Sequence, residues 1–155
     1  INGPVEFGPG HFSKTIKSKF TTAPTKLCKE GDLILCVRGS TTGRTNIAGF
    51  DACIGRGVAA IRYTKYQAWI NHYINSIRVK IYKLGTGSTF PNISSAILAN
   101  LLVPLPPLPE QRSITAKLDA LSAETKKIEA IYQQKLADLE ELKKSVLQKA
   151  FSGDL

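Results

Sequence analysis

Apolar positions in the last third of the chain recur with a helical period. Ile114, Leu118, Leu121, Ile128, Leu139, Leu142 and Val146 fall mostly at three-, four- or seven-residue spacings with no Gly or Pro between them, which predicts one uninterrupted helix over residues 110–151. Pro109-Glu110-Gln111 suits its first turn, where a missing N–H costs nothing and an acidic side chain meets the positive end of the dipole. Gly153 follows the last periodic residue as a left-handed stop. At about 1.5 Å per residue this helix runs to roughly 60 Å, so it must project and find a partner.

Its seam reads as heptads: Ile114 (d), Leu118 (a), Leu121 (d), Thr125 (a), Ile128 (d), Tyr132 (a), Lys135 (d), Leu139 (a), Leu142 (d), Val146 (a), Lys149 (d). Thr125 and Lys135 interrupt the middle, while Ile131 and Leu136 widen the apolar face. A d-position lysine would meet its own copy in a parallel pair and a different layer in an antiparallel one. The expected assembly is therefore an antiparallel homodimer, paired as a coiled coil through this helix.

The first part of the chain has shorter periods. Leu33-Ile34-Leu35-Cys36-Val37, entered from the turn Glu30-Gly31-Asp32, predicts a buried strand. Two more strands are expected at residues 52–54 and 58–63, with Gly55 and Gly57 marking a bulge or a close backbone approach and Arg56 exposed between them. Tyr66, Trp69, Ile70, Tyr73, Ile74 and Ile77 define an amphipathic helix whose aromatic face reads as core rather than as a platform for bases, with His72 on its polar side. Ser94 is placed to cap a short helix through Asn100, and residues 101–103 read as a strand. Residues 1–12 read as a loop. Lys14, Lys17 and Lys19 alternate with Ile16 and Phe20 as in a half-buried strand, whose lysines either protect an edge or contact phosphates. The fold class expected is α+β: a small mixed domain over residues 1–103, incomplete at its N-terminus, a proline-rich connector at 104–109, then the helix.

Charge separates the same regions. The formal net charge is +9, and residues 1–108 carry all of it, since the helical part is balanced. A compact basic domain fits a phosphate-backbone partner, and basic surfaces also serve solubility or acidic proteins. Cys28, Cys36 and Cys53 form no C-x-x-C pair and read as small buried hydrophobes of a reducing, cytoplasmic compartment. His11 and His72 stand apart, so neither a metal nor another cofactor is expected. No segment is apolar enough to span a membrane, and the first residues do not resemble a signal sequence.

Two polar loops carry the candidate chemistry. Residues 38–46 place Ser40, Thr41 and Asn46 between and beside Arg38 and Arg44 without the spacing of a phosphate-binding loop. Guanidinium forks suit guanine or phosphate, Asn suits adenine, and hydroxyls suit either; a flexible connection would have the same composition. Residues 84–94 form the second loop, with Thr86, Ser88 and Thr89. The segment Pro104-Leu105-Pro106-Pro107-Leu108-Pro109 could serve as a polyproline ligand, but its place before a long helix makes it a stiff connector.

The stretches Gly87-Ser88-Thr89-Phe90-Pro91-Asn92-Ile93-Ser94 and Val103-Pro104-Leu105-Pro106-Pro107-Leu108-Pro109-Glu110-Gln111-Arg112-Ser113-Ile114 together resemble the specificity subunits of type I restriction-modification systems. Gly31-Asp32-Leu33-Ile34 through Arg38-Gly39-Ser40, and Leu147-Gln148-Lys149-Ala150-Phe151-Ser152-Gly153, are also similar to that family's pattern. The resemblance covers residues 30–155. It implies a target recognition domain and a conserved-region helix acting in sequence-specific recognition of double-stranded DNA for a methyltransferase subunit and, where present, a restriction subunit, with no catalytic residues in this chain. One recognition domain and one helix, where the family has two of each, imply a half-subunit or a shortened one that reads a bipartite, palindromic site as a homodimer. Arg38, Ser40, Thr41, Arg44, Asn46, Thr86, Ser88 and Thr89 are the expected base or phosphate contacts, with Lys14, Lys17, Lys19 and Arg56 on the backbone. The alternative is a basic, non-catalytic adaptor whose helix docks in a larger assembly. An enzyme ranks third, because no nucleophile–base pair or metal constellation appears.

Overall fold

The computed structural model describes residues 1–87 and 90–153. The chain divides into two compact units, Ile1–Arg112 and Ser113–Leu155, and its elements form an α+β arrangement ending in a long helix.

The first unit is built around β2 (Leu33–Cys36), central in the antiparallel order β3-β2-β5. β3 (Thr45–Ile47) pairs Leu33 with Ile47 and Leu35 with Thr45, and β5 (Val58–Ile61) pairs Leu33 with Ile61 and Cys36 with Val58. Every residue of β2 is buried because there is a core on both faces. Ile34 and Cys36 point into one cluster with Phe7, Cys28, Ala48, Ile54 and Val58. Leu33, Leu35 and Val37 point into the other, with Ile70, Ile74, Ile81 and Ile93. That double burial is why β2 reads as a continuous apolar run rather than an alternating one. Burying each of these large side chains contributes about 1.5–3 kcal/mol.

A second, two-stranded sheet pairs β1 (Lys26–Cys28) with β4 (Ala52–Ile54). β4 and β5 are where the pattern predicts strands, but they are not partners of each other. A Cβ on Gly57 would lie 2.6 Å from the Asn2 carbonyl oxygen, so the glycines mark a close backbone approach. β5 stops at Ile61, short of the expected Tyr63. Arg62 turns to grip Asp32 at 2.6 Å through two N–H groups, and the Tyr63 N–H donates to Gln67 Oε1 at 2.7 Å. Burial would raise the Asp32 carboxyl, but Arg62 and the Lys29 N–H hold it below its ordinary value.

α1 (Gln67–Ser76) buries Ile70 and Ile74 and continues, after a break at Ile77, into α2 (Arg78–Leu84). The break has no Gly or Pro; the Ser76 hydroxyl bonds the Tyr73 carbonyl at 2.8 Å and competes with the helical ladder there. The aromatic face of α1 belongs to the core, with its polar tips engaged: Trp69 Nε1 donates to the Pro104 carbonyl at 2.9 Å and the Tyr73 hydroxyl to the Leu102 carbonyl at 3.0 Å. Residues 101–103 are consequently not a strand, because side chains of α1 rather than a ladder hold their backbone. α3 (Ser95–Ala99) starts at Ser94, whose hydroxyl accepts the Ile97 N–H at 3.3 Å, as expected of a cap. Pro4–Glu6 form a 3-10 turn inside the segment read as loop. Residues 14–20 make only one bridge, Lys14 to Ile47, so the expected strand there is not formed. Cys28 and Cys36 are buried free thiols and Cys53 is half-buried.

α4 (Leu108–Ser152) begins two residues before the expected start. Pro107 accepts the Glu110 N–H at 3.0 Å and the Gln111 N–H at 3.1 Å, while Gln111 Nε2 returns to the Pro106 carbonyl at 2.8 Å. Along the second unit, Leu121, Ile128, Tyr132, Leu139 and Leu142 are all more than half exposed. No helix of the described residues is long and apolar enough to cross a membrane.

Candidate functional site

The β2–β3 hairpin carries the first polar loop. Its backbone folds through Thr42 N–H to the Gly39 carbonyl at 3.2 Å, Gly43 N–H to Cys36 at 2.9 Å and Arg44 N–H to Thr41 at 3.0 Å. The second loop is closed by a two-way bridge, Thr86 N–H to Asn92 O at 3.0 Å and Asn92 N–H to Thr86 O at 2.7 Å. The two loops are joined side to side. The Thr42 hydroxyl lies between the Gly39 carbonyl of its own loop at 2.8 Å and the Pro91 carbonyl of the other at 3.0 Å and shares its proton between them, and Arg38 Nε donates to Asn92 Oδ1 at 3.1 Å, leaving the outer edge of the exposed Arg38 guanidinium free of that contact. Ser88 and Thr89 lie outside the described residues.

Beside the first loop is a cleft of about 510 Å³, lined by Ser40, Thr41, Thr42, Gly43 and Arg44 on one side and Arg78, Val79, Tyr82 and Lys83 of α2 on the other, with Pro9 and His11 between them. Three cationic side chains, several hydroxyls and one phenol line a concave surface on a basic domain. Such an inventory can hold phosphate and the polar edges of bases. Sequence reasoning missed α2 and His11. The cue was Arg78-Val79-Lys80-Ile81-Tyr82-Lys83, where only Ile81 is buried and the basic and aromatic side chains around it are exposed.

Asn46, expected among the base contacts, is fully buried in β3. Its Nδ2 donates to the Gly10 carbonyl at 2.9 Å and the Gly8 carbonyl at 3.4 Å, and its Oδ1 accepts the Gly8 N–H at 3.4 Å. It holds the backbone of Gly8 and Gly10 and, with its side chain turned inward, offers nothing to a ligand. Arg44 is half-buried, with Nη2 on the Gly8 carbonyl at 3.3 Å and its guanidinium 5.9 Å from the Phe7 ring.

His11 sits at the junction of these parts. Arg78 Nη1 donates to His11 Nε2, and a guanidinium can only donate, so the proton of the neutral ring is on Nδ1, 3.5 Å from Thr45 Oγ1. Burial, and then the Arg78 and Arg44 guanidiniums, hold the imidazole below its ordinary value and keep it neutral near pH 7.

The other expected contacts are distributed. Thr86 is exposed beside Asn92. Arg56 is exposed in the turn whose Gly57 carbonyl accepts the Val37 N–H at 2.9 Å, at the same end of β2 as Arg38. Lys14 is at the opposite end, bridged to Ile47 and ion-paired with Glu30 at 3.0 Å. Lys17 and Lys19 line a separate cavity of about 760 Å³ with Phe20, Leu27 and Phe50, and Lys17 Nζ lies 5.2 Å from the Phe50 ring.

Residues 4–140 match the model of the type I restriction modification DNA specificity domain. The chain is 30% identical to the putative type I restriction enzyme MjaX specificity subunit of Methanocaldococcus jannaschii, with all of this chain and 35% of that protein aligned. It is 29% identical to the EcoKI specificity subunit of Escherichia coli K12, over 85% of this chain and 32% of that one. A solved chain from work on complex assembly and conformational transition of the type I R-M system superposes on the whole chain at a TM-score of 0.86 with 33% identity, covering 38% of its own length. The crystal structure of the HsdS subunit from Thermoanaerobacter tengcongensis superposes on 99% of the chain at 0.74 with 32% identity, over 37% of that subunit. The chain thus spans about a third of the length of these relatives.

Proposed function

Because the chain belongs to the type I restriction modification DNA specificity domain family, we propose that its first unit is a target recognition domain that binds double-stranded DNA sequence-specifically, and that its helix is the scaffold of the assembly. The cleft between the first polar loop and α2 carries the proposal. Ser40, Thr41, Arg44, Tyr82 and Lys83 of its lining are the contacts it favours, joined by Arg38 and Thr86, which both bridge to Asn92, by Ser88 and Thr89, which follow Thr86 in sequence, and by Arg56 on the DNA backbone. Lys14 at the far end of the sheet, and Lys17 and Lys19 on the separate cavity, serve as peripheral phosphate contacts. Residues 1–103 form the recognition domain, 104–109 its connector and 110–151 the spacer helix.

On this reading the chain performs no chemistry. It directs a methyltransferase subunit, and a restriction subunit where one is present, to a bipartite site in the cytoplasm. The seam of half-buried Ile114 and exposed Leu118, Leu121, Ile128, Tyr132, Leu139, Leu142 and Val146 pairs with a second copy in antiparallel fashion, setting the distance between two half-sites.

The test is selection from a randomised duplex pool by the 155-residue chain, alone and with a type I methyltransferase subunit, followed by salt titration on the selected duplex. Selective binding should weaken steeply with salt, and Lys83→Ala should reduce the log–log slope by about 0.9 if it neutralises one phosphate. No selection in either condition would favour the adaptor role and remove this one.

A further inference from the structure

We infer that Arg78 is a base-reading residue of the cleft, with guanine as its target, and that His11 is the residue that positions it; this rests on the DNA-binding role proposed above. The cations of the first unit are held in different ways. Arg62 is gripped by the Asp32 carboxylate, which neutralises it, and Arg44 is turned onto the Gly8 carbonyl. Arg78 is held by a neutral imidazole, so its guanidinium is oriented and keeps its full charge.

The hold reaches back to the sheet. The His11 ring rests against the hydroxyl of Thr45, fully buried in β3, and the Thr45 hydroxyl lies 3.4 Å from the His11 carbonyl. The segment leading to His11 is clamped by the Asn46 amide on Gly8 and Gly10. With Nη1 engaged by His11, the Nε/Nη2 edge remains as a two-donor fork. That fork matches the O6 and N7 acceptors of guanine in the major groove. A mobile arginine neutralises phosphates at any sequence, whereas reading one base needs the fork fixed in place, and the Thr45–His11 relay fixes it.

The experiment compares wild type with R78A, H11F and H11Q, each checked for folding by Trp69 fluorescence in urea. Phe keeps a ring and removes the acceptor; Gln offers an amide oxygen acceptor at a similar reach without the ring. Each protein is assayed against the duplex selected by wild type, its single-base variants and a non-specific duplex. R78A and H11F should lose discrimination at the same G·C pair by about 5- to 150-fold, R78A should also weaken non-specific binding because a cation of the cleft is lost, and H11Q should keep most of the discrimination. H11F retaining that discrimination, a loss spread evenly over all positions, or R78A altering no G·C pair would overturn the inference while leaving the DNA-binding role intact. A wild-type chain with no preference among duplexes would overturn that role, and this inference with it.

Discussion

Gly43 and Gly31 form a matched pair for testing how loop geometry becomes specificity. Both have positive φ, +88° and +89°. An alanine there pays the left-handed backbone penalty, about 1–2 kcal/mol. Space adds little to it: a Cβ on Gly43 would meet the Arg78 carbonyl oxygen at 3.4 Å, ordinary contact, and nothing lies within 4 Å of one on Gly31. Gly43→Ala and Gly31→Ala should therefore destabilise the first unit equally. With an m-value of about 2 kcal/mol per M, each urea midpoint should fall by about 0.5–1 M. Trp69 is the single tryptophan of the chain and lies in this unit, so its fluorescence reports that transition without interference from the helix. Function should separate the two. Gly43 faces α2 across the cleft, so relief of its strain moves the first loop against Arg78; Gly31 is in the turn leading into the opposite end of β2. Gly43→Ala should weaken selective DNA binding, and Gly31→Ala should leave it within about twofold at matched folded fraction. Equal loss of selectivity in both, or unchanged midpoints, would refute the reasoning.

Three further outcomes are expected. Asp32 and Glu6 are held below their ordinary values of 3.8 and 4.5; depressed carboxyls give stability that is complete above the unfolded values and is lost as pH falls through the folded ones, so the urea midpoint should drop between about pH 5 and pH 2. Asp32→Asn should flatten part of that decline, and a pH-independent midpoint would contradict the assignment. Asn46→Ala leaves the Gly8 and Gly10 carbonyls without their buried amide and should cost about 1–3 kcal/mol, read as a midpoint shift; an unchanged midpoint would show that the amide is not a clamp. Leu139→Asp removes a seam residue from both copies of the proposed dimer and should cost about 3–6 kcal/mol per dimer, so sedimentation equilibrium should show dissociation at concentrations where wild type is paired.

Legibility in the sequence followed how far each signal extended along the chain. β2, α1 and α4 were readable because each repeats one instruction several times, a doubly buried run for Leu33–Cys36 and helical spacing for the others. β1 and β3 were not, since three residues such as Thr45-Asn46-Ile47 carry no period, and long-range pairing makes them strands. α2 was missed for a related reason: it buries one residue, Ile81, and its exposed Val79 and Tyr82 blur the pattern. The two polar loops were recognisable by composition, but composition is silent on direction. It could not tell that Asn46 points into the protein, that Lys14 sits with Glu30 at the other end of β2, or that His11 and Arg78, far apart in sequence, meet.

The register of the proposed helix pair follows from where its polar seam residues fall. Within the second unit, pairs such as Gln134–Asp138 at 2.7 Å and Glu124–Lys127 at 3.6 Å stabilise a helix by only a few tenths of a kcal/mol each. Burial of the exposed seam contributes more than these pairs do. In an antiparallel pair each a residue faces a d residue of the other copy. One register sets Leu118 against Leu142, Leu121 against Leu139, Ile114 against Val146 and Ile128 against Tyr132, which leaves Thr125 facing Lys135. Sliding by one heptad sets Thr125 against Leu142 and Leu118 against Lys149, burying polar against apolar groups twice over. Only the first register keeps like with like. Thr125→Glu distinguishes the arrangements: there it adds a carboxylate opposite Lys135 in both symmetry-related layers and should strengthen the dimer by about 0.5–2 kcal/mol in all. In the slid register it buries a charge against leucine, and in a parallel pair it meets its own copy, so both predict weaker association. A Thr125→Glu chain that sediments with a larger dissociation constant than wild type would exclude the register argued here.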